Sequence, residues 1–258
     1  MCSVCGERVF GRESRDASPE CDGADDQTVP QVRAPVLSAN LGDKLVCLTC
    51  LQQQPQFERA AAYGSYDGGL RELIHLLKYE HVRPAANLLG RMLAEVVADL
   101  AETFEPDVPV VMAVPLHASK THQRGFNQAE LIARAMLKLK PAALDLKLNN
   151  TALIRSRVTE SQTGLTPPQR RENIRGAFKV VRRDELSGRD ILLIDDVFTT
   201  GATVSECARV LRRAGANRVF VATVARVLKP EVQRVGLSPA GESGDKIEDE
   251  PRVMAAHA

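Results

Sequence analysis

The sequence predicts an α/β fold: a mainly parallel sheet with helices on both faces, preceded by a small cysteine-rich module. Three observations carry this. Apolar runs at residues 110–114, 191–194 and 219–224 read as buried strands, because a strand covered on both faces loses the alternation of an exposed one. Segments between them carry apolar residues at helical spacing, so strands and helices alternate. Two Cys-x-x-Cys pairs stand ahead of that alternation.

Residues 1–55 form the module. Cys2-x-x-Cys5 and Cys47-x-x-Cys50 bracket a polar, Asp- and Pro-containing stretch that reads as a loose loop. Two such knuckles supply four thiolates suited to tetrahedral Zn²⁺, and a unit with so little core would draw much of its folding energy from the metal. Cys21 is a spare thiol that could replace one ligand. The second domain spans 56–230, its α/β pattern starting near Ala60. Asp67 can cap a helix bearing Leu70, Leu73, Ile74 and Leu77 on one face. A second helix carries Leu89, Met92, Leu93, Val96, Val97 and Leu100. The strand at 110–114 leads through a loop to a helix capped by Asn127, with Glu130 three residues on as in a capping box. Pro168 starts another helix, and 177–181 suggests a short strand. The strand at 191–195 feeds a helix presenting Val204, Cys207, Ala208 and Leu211, which makes Cys207 a core residue. Residues 219–224 close the sheet. From 231 to 258 the chain is polar and acidic, with 6 Asp/Glu against 3 Lys/Arg, and reads as a disordered tail.

Apolar residues make up 44% and charged residues 26% of the 258, the balance of a globular protein. A net charge of +1 sets no whole-molecule field, but residues 117–183 hold 14 Lys/Arg against 4 Asp/Glu. That basic middle fits a polyanionic small molecule or a nucleic-acid backbone. Aromatics are sparse at 4%, without Trp, which argues against base stacking on single strands. The longest apolar run, residues 108–116, is broken by Pro109 and Pro115 and is too short for a bilayer, so no membrane insertion is expected. The first residues lack the apolar core of a signal peptide, and the expected location is cytoplasmic, where paired cysteines suggest metal before disulfide.

The chemistry concentrates in Ile191-Leu192-Leu193-Ile194-Asp195-Asp196-Val197-Phe198-Thr199-Thr200-Gly201-Ala202-Thr203. Two carboxylates end a buried strand, and a loop of hydroxyls with one glycine opens a helix. This suits a sugar phosphate. Gly201 lets the backbone come close to a phosphate, the helix start offers unpaired N–H groups, and the carboxylates can accept hydrogen bonds from ribose hydroxyls. One carboxylate can also reach Mg²⁺ through water. No glycine-rich loop ends in Lys-Ser or Lys-Thr, and no G-x-G-x-x-G is present.

The block resembles the signature of type I phosphoribosyltransferases, which bind phosphoribosyl pyrophosphate (PRPP). The resemblance implies that Asp195 and Asp196 contact the ribose 2′ and 3′ hydroxyls. It implies that Thr199, Thr200, Gly201, Ala202 and Thr203 wrap the 5′-phosphate, with Mg²⁺ accompanying PRPP. In such proteins the strand matching 110–114 ends in the pyrophosphate loop. Here that loop holds Lys120 and Arg124, and Arg124 is the stronger candidate because its planar fork matches phosphate oxygens. His117 and His122 read as polar loop residues. Residues 155–175 are polar, basic and aperiodic, and correspond to the mobile loop that covers the site and excludes water.

Further pieces narrow the resemblance to the ComF (competence protein F) and GntX-like branch. They are the paired cysteines, Leu77-Lys78-Tyr79, Val114-Pro115-Leu116, Arg124-Gly125-Phe126-Asn127-Gln128, residues 155–162 with Arg171 and Asn173, Gly176-Ala177-Phe178, and residues 194–203. The insert between the cysteine pairs is longer than in that branch. The resemblance implies a PRPP-binding domain, a structural zinc module and a role linked in some bacteria to uptake of transforming DNA or to carbon utilisation. Two function classes stand open: a transferase displacing pyrophosphate from PRPP with a nitrogen nucleophile, and a non-catalytic factor that binds DNA or a competence-machinery protein. Oligomerisation is left open.

Overall fold

Aliphatic strands set the centre of the molecule. The computed structural model describes residues 1–7, 38–41, 44–159 and 164–228. Cys21 and most of the insert around it, residues 160–163 of the segment expected to cover the site, and the tail from 231 lie outside the described residues.

The first elements belong to the cysteine module: β1 (Ser38–Leu41) pairs antiparallel with β2 (Lys44–Cys47), and α1 (Leu48–Gln53) follows. Then come β3 (Arg59–Ser65), α2 (Gly68–Tyr79), α3 (Ala85–Leu100), β4 (Val110–Ala113), α4 (Ala118–Arg124) and α5 (Gln128–Leu137). Next are β5 (Lys147–Leu148), β6 (Leu153–Arg155), α6 (Pro167–Ile174) and β7 (Phe178–Val180). The chain continues as β8 (Ile191–Phe198), α7 (Ala202–Arg213) and β9 (Val219–Arg226).

Among the described residues, five strands form one sheet in the order β3-β9-β8-β4-β5, every pairing parallel. The central strands are buried on both faces, as their continuous apolar runs require. Along β8, Leu192 and Ile194 pack with Ile74, Leu89, Leu93, Ile132 and Met136 of α2, α3 and α5. Ile191 and Leu193 face the other way, toward Cys207, Ala208 and Leu211 of α7, with Ile174 and Phe178. Cys207 is thus a core residue. Gly90 lets α3 meet α5, since a Cβ there would lie 2.5 Å from that of Ala135.

Several elements differ from the sequence expectation for local reasons. The loop after β4 contains the helix α4. His117 starts it by accepting from Ser119 N at 3.2 Å, and Gly125 ends it in the left-handed region. Residues 178–180 do form a strand, but β7 pairs antiparallel with β6 outside the main sheet. Asn127 caps α5, accepting from Ala129 N at 3.0 Å, while Glu130 turns to Arg134 at 2.7 Å rather than closing a capping box. The capping box occurs at α6, where Gln169 accepts from Thr166 N at 2.8 Å. Strand β8 runs three residues past Asp195 because β9 pairs with it as far as Phe198.

The module joins the edge of the sheet directly. Ala60 N donates to Val4 O at 2.7 Å, and Ser3 N to Leu45 O at 2.7 Å. Arg226, the last residue of β9, donates to Cys5 O, reaches Glu7 at 3.2 Å and lies over the Phe198 ring. At the opposite end of the sheet, the buried Asp190 accepts from Asn217, Arg218 N and Arg218 Nε. The Arg218 guanidinium also binds the carbonyls of Thr103 and Phe104.

Candidate functional site

Four sulfurs make the first cluster. Cys2, Cys5, Cys47 and Cys50 are buried, with their Sγ atoms all within 4.8 Å of one another. The Cys5–Cys47 separation is 3.7 Å. Tetrahedral thiolates around Zn²⁺ at 2.3 Å stand about 3.8 Å apart, so the donor set fits that ion in number, softness and spacing. Cys47 N donates to Cys2 Sγ at 3.3 Å, a backbone bond of the kind that orients a metal ligand. Sharing a hydrogen bond with Cys47, in a crowded and buried group, pushes the Cys5 thiol up to about 12. A bound dication reverses that penalty.

The second cluster lies beyond the C-terminal ends of β8 and β4, where open parallel sheets place their ligands. The turn after β8 runs through Gly201, with φ at 75°, into α7. A Cβ on Gly201 would stand 2.6 Å from Phe198 Cζ, so any side chain there must push that ring aside as well as take a left-handed backbone. Thr200 Oγ1 approaches Ala202 N at 3.4 Å. Thr199, Thr200 and Thr203 are half-buried along the turn, and Gly201 and Ala202 are buried.

Strand geometry separates the two carboxylates, because successive side chains leave on opposite faces. Asp196 goes to the α2 face, where Lys78 Nζ meets its Oδ2 at 2.7 Å. Burial works against the lysine charge, but Asp196 and then Asp195 outweigh it and hold the Lys78 pKa above the usual lysine value. Asp195 lies toward β6 and α7 and feels the charge of Arg155. Desolvation, reinforced by the charge of Asp196, pushes Asp195 up to about 7.

The basic side of the site assembles from α4 and β6. A parallel bridge joins His117 to Arg155, tying the loop after β4 to the end of β6. Arg124 donates to Gln128 Oε1 at 2.6 Å and stands over the Tyr79 ring at 5.7 Å. Lys120 is held below its usual pKa by desolvation and by the charges of Arg155 and Arg124, so the three cations share one region. Arg155 donates to Thr159 and rests over Phe178. Its Nε is buried without a partner in the described residues. Arg157 ties the chain after β6 to the end of α6, donating to the carbonyls of Asn173 and Arg175 at 2.8 and 2.7 Å.

Neither Lys78 nor Arg155 has an individual role legible in the sequence. Lys78 follows the apolar stripe of α2 and looks like a solvated lysine, and only the packing of α2 on β8 turns it inward. Arg155 was one basic residue among many until β6 fixed its place.

The residues match known proteins consistently. The family model for the phosphoribosyl transferase domain matches residues 123–236. Competence protein F of Haemophilus influenzae is 32% identical over 182 residues, covering 70% of this chain and 78% of that protein. The DNA utilization protein YhgH of Escherichia coli K12 is 31% identical over 229 residues, covering 88% and 91%. Among solved structures, a hypoxanthine phosphoribosyltransferase from Staphylococcus aureus is similar at 14% identity and a TM-score of 0.32, covering 56% of this chain and 68% of that one.

Proposed function

This chain belongs to the competence protein F family and carries a phosphoribosyl transferase domain, and we propose that it transfers a phosphoribosyl group from PRPP to a nitrogen nucleophile, releasing pyrophosphate. The observation that carries the reading is the glycine turn after β8. It opens α7 a few residues after Asp195, a carboxylate that feels the charge of Arg155, and Arg155 with Arg124 acts in turn on Lys120.

In this reading the N–H groups and hydroxyls of 199–203 hold the 5′-phosphate. Asp195 accepts from a ribose hydroxyl. Asp196 shares that task only as far as Lys78 releases it. Lys120 and Arg124, with Arg155 behind them, stabilise the departing pyrophosphate, whose charge grows as the C1–O bond breaks and takes the electron pair. The nucleophile's nitrogen lone pair then forms the new bond at C1. Residues 155–175 cover the ribosyl centre against water. Mg²⁺ accompanying PRPP would screen pyrophosphate charge, and Asp195 would hold its water shell.

Calorimetry with Mg²⁺ and PRPP tests the binding, and a pyrophosphate-release assay against nucleobases and ammonia tests the chemistry. Micromolar binding with release on one acceptor supports the reading. Binding without release on any acceptor removes the transferase and leaves a PRPP-binding protein.

A second reading, a nucleic-acid-binding role, is favoured by one observation. An arginine-lined groove runs along α7. The names of the relatives tie those proteins to competence and DNA utilization.

A further inference from the structure

One groove lies away from the strand ends. It has a volume of about 1150 Å³ and lies between α6 and α7, with the turn after α1 at one rim. Arg171 and Arg175 line it from the α6 side, and Arg209 and Arg213 from α7, with Arg212 beside them. Glu206 and Glu172 are the acidic residues in the lining, so five arginines face two carboxylates. Glu206 is already committed, bound by Arg209 at 2.6 Å and by Gly176 N at 2.7 Å. Glu172 is 3.9 Å from Arg175. Arg171 and Arg213 are exposed and have no carboxylate partner among the described residues.

We infer that this groove is a binding site for the sugar–phosphate backbone of a single nucleic-acid strand. The arginines come in pairs one helical turn apart, about 6 Å, on two facing elements. Successive phosphates of an extended strand repeat on a comparable scale and all carry charge. An extended acidic peptide instead sends successive carboxylates to opposite sides, so half of them would miss the groove. A duplex is too wide to enter a cleft between two packed helices and could touch only its rim. Guanidinium groups bind phosphate oxygens through two parallel N–H bonds. No aromatic residue lines the groove, so recognition is blind to the base and depends on charge. The upper end of the groove includes Ala202, beside the phosphate turn, while Arg212 and Arg213 stand at the far end of the same helix.

The inference rests on the nucleic-acid reading and is separable from it by experiment. Fluorescence anisotropy with the full chain and a labelled oligodeoxythymidylate, across about 50–200 mM KCl, gives affinity and salt slope. In the variant Arg212→Gln/Arg213→Gln, affinity should fall about tenfold or more. The salt slope should shrink by about 1.4, since each phosphate neutralised on a single strand contributes about 0.7. Calorimetry with Mg²⁺ and PRPP should be unchanged in that variant, and its melting curve should show an intact fold. If the wild-type chain binds no strand at all, the nucleic-acid reading falls with the site. A wild-type chain that binds as tightly as the variant, with the same slope, keeps that reading and overturns the groove. Tighter binding of a duplex or of polyglutamate than of the strand also overturns it.

Discussion

Asp195 carries opposing demands. Its neighbours hold it near neutrality, up to about 7, while an unfolded carboxylate titrates near 3.9. Between about pH 4 and pH 7 the folded chain therefore binds the extra proton, and stability falls as pH rises through that window. Asp195→Asn should melt higher than wild type at pH 8 and equally at pH 4, by differential scanning calorimetry. The same variant should lose PRPP affinity, and wild-type affinity should climb from pH 6 to pH 8 as the carboxylate ionises to accept a ribose hydroxyl. A flat wild-type profile would remove Asp195 from the site. Lys78 answers a different question. Replacing it with Met leaves a buried carboxylate unpaired, which costs about 3–5 kcal/mol, toward the low end because 18% of the lysine side chain is still solvated. Urea unfolding should show that loss, and Lys78→Met/Asp196→Asn should recover most of it. At this scale the acidic pair and the hydroxyl loop were legible in the sequence because their spacing is local. The partner of Asp196 was not, because it arrives from a helix more than a hundred residues earlier.

Among the elements, those with a sustained period were readable, as were the short β7 and the proline-started α6, while α4 and β6 were not. Helices α2, α3, α5 and α7 show an apolar face across several turns, and β4, β8 and β9 show unbroken apolar runs. Helix α4 spans seven residues with none buried, so no hydrophobic period could announce it. Strand β6 is three residues long, and its pairing with β7 is settled by packing under α7. The turn between β8 and α7 makes its own demand. Gly201→Ala should cost about 1–3 kcal/mol for the left-handed backbone alone. The added methyl must also displace the Phe198 ring. The expected result is a lower melting temperature together with weaker binding of ribose 5-phosphate, which in the proposed reading is held at this turn and has no pyrophosphate to hold it elsewhere. A variant that melts lower but binds ribose 5-phosphate normally would separate the turn from the ligand.

At the scale of the whole molecule, the cysteine cluster and the sheet are joined through main-chain bonds. Purified protein should hold about one Zn²⁺ per chain, and Cys47→Ser/Cys50→Ser should lose it, as elemental analysis would show. Loss should reach the sheet. The Ala60 amide, bonded to Val4 O beside the cysteine cluster, should exchange with solvent much faster in the variant. A metal-free wild-type chain with the same Ala60 protection would refute the module. The cysteine spacing made the cluster legible from the sequence. Its seat against β3 and Arg226 was not, because no local pattern records which face of a small module meets a neighbour.

The strand order has a consequence in time. Strand β3 finds its sheet partner in β9, with Ala60 beside Val221, 161 residues later. A ribosome adding about 5–20 residues per second needs roughly 8–30 s to cover that distance. Throughout that interval one edge of β3 has no strand to pair with, although the residues bonded to its other side have already been made. The sheet therefore closes at this edge only after β9 has emerged, and a nascent chain halted before residue 219 carries an open β edge for chaperones or for another chain to find.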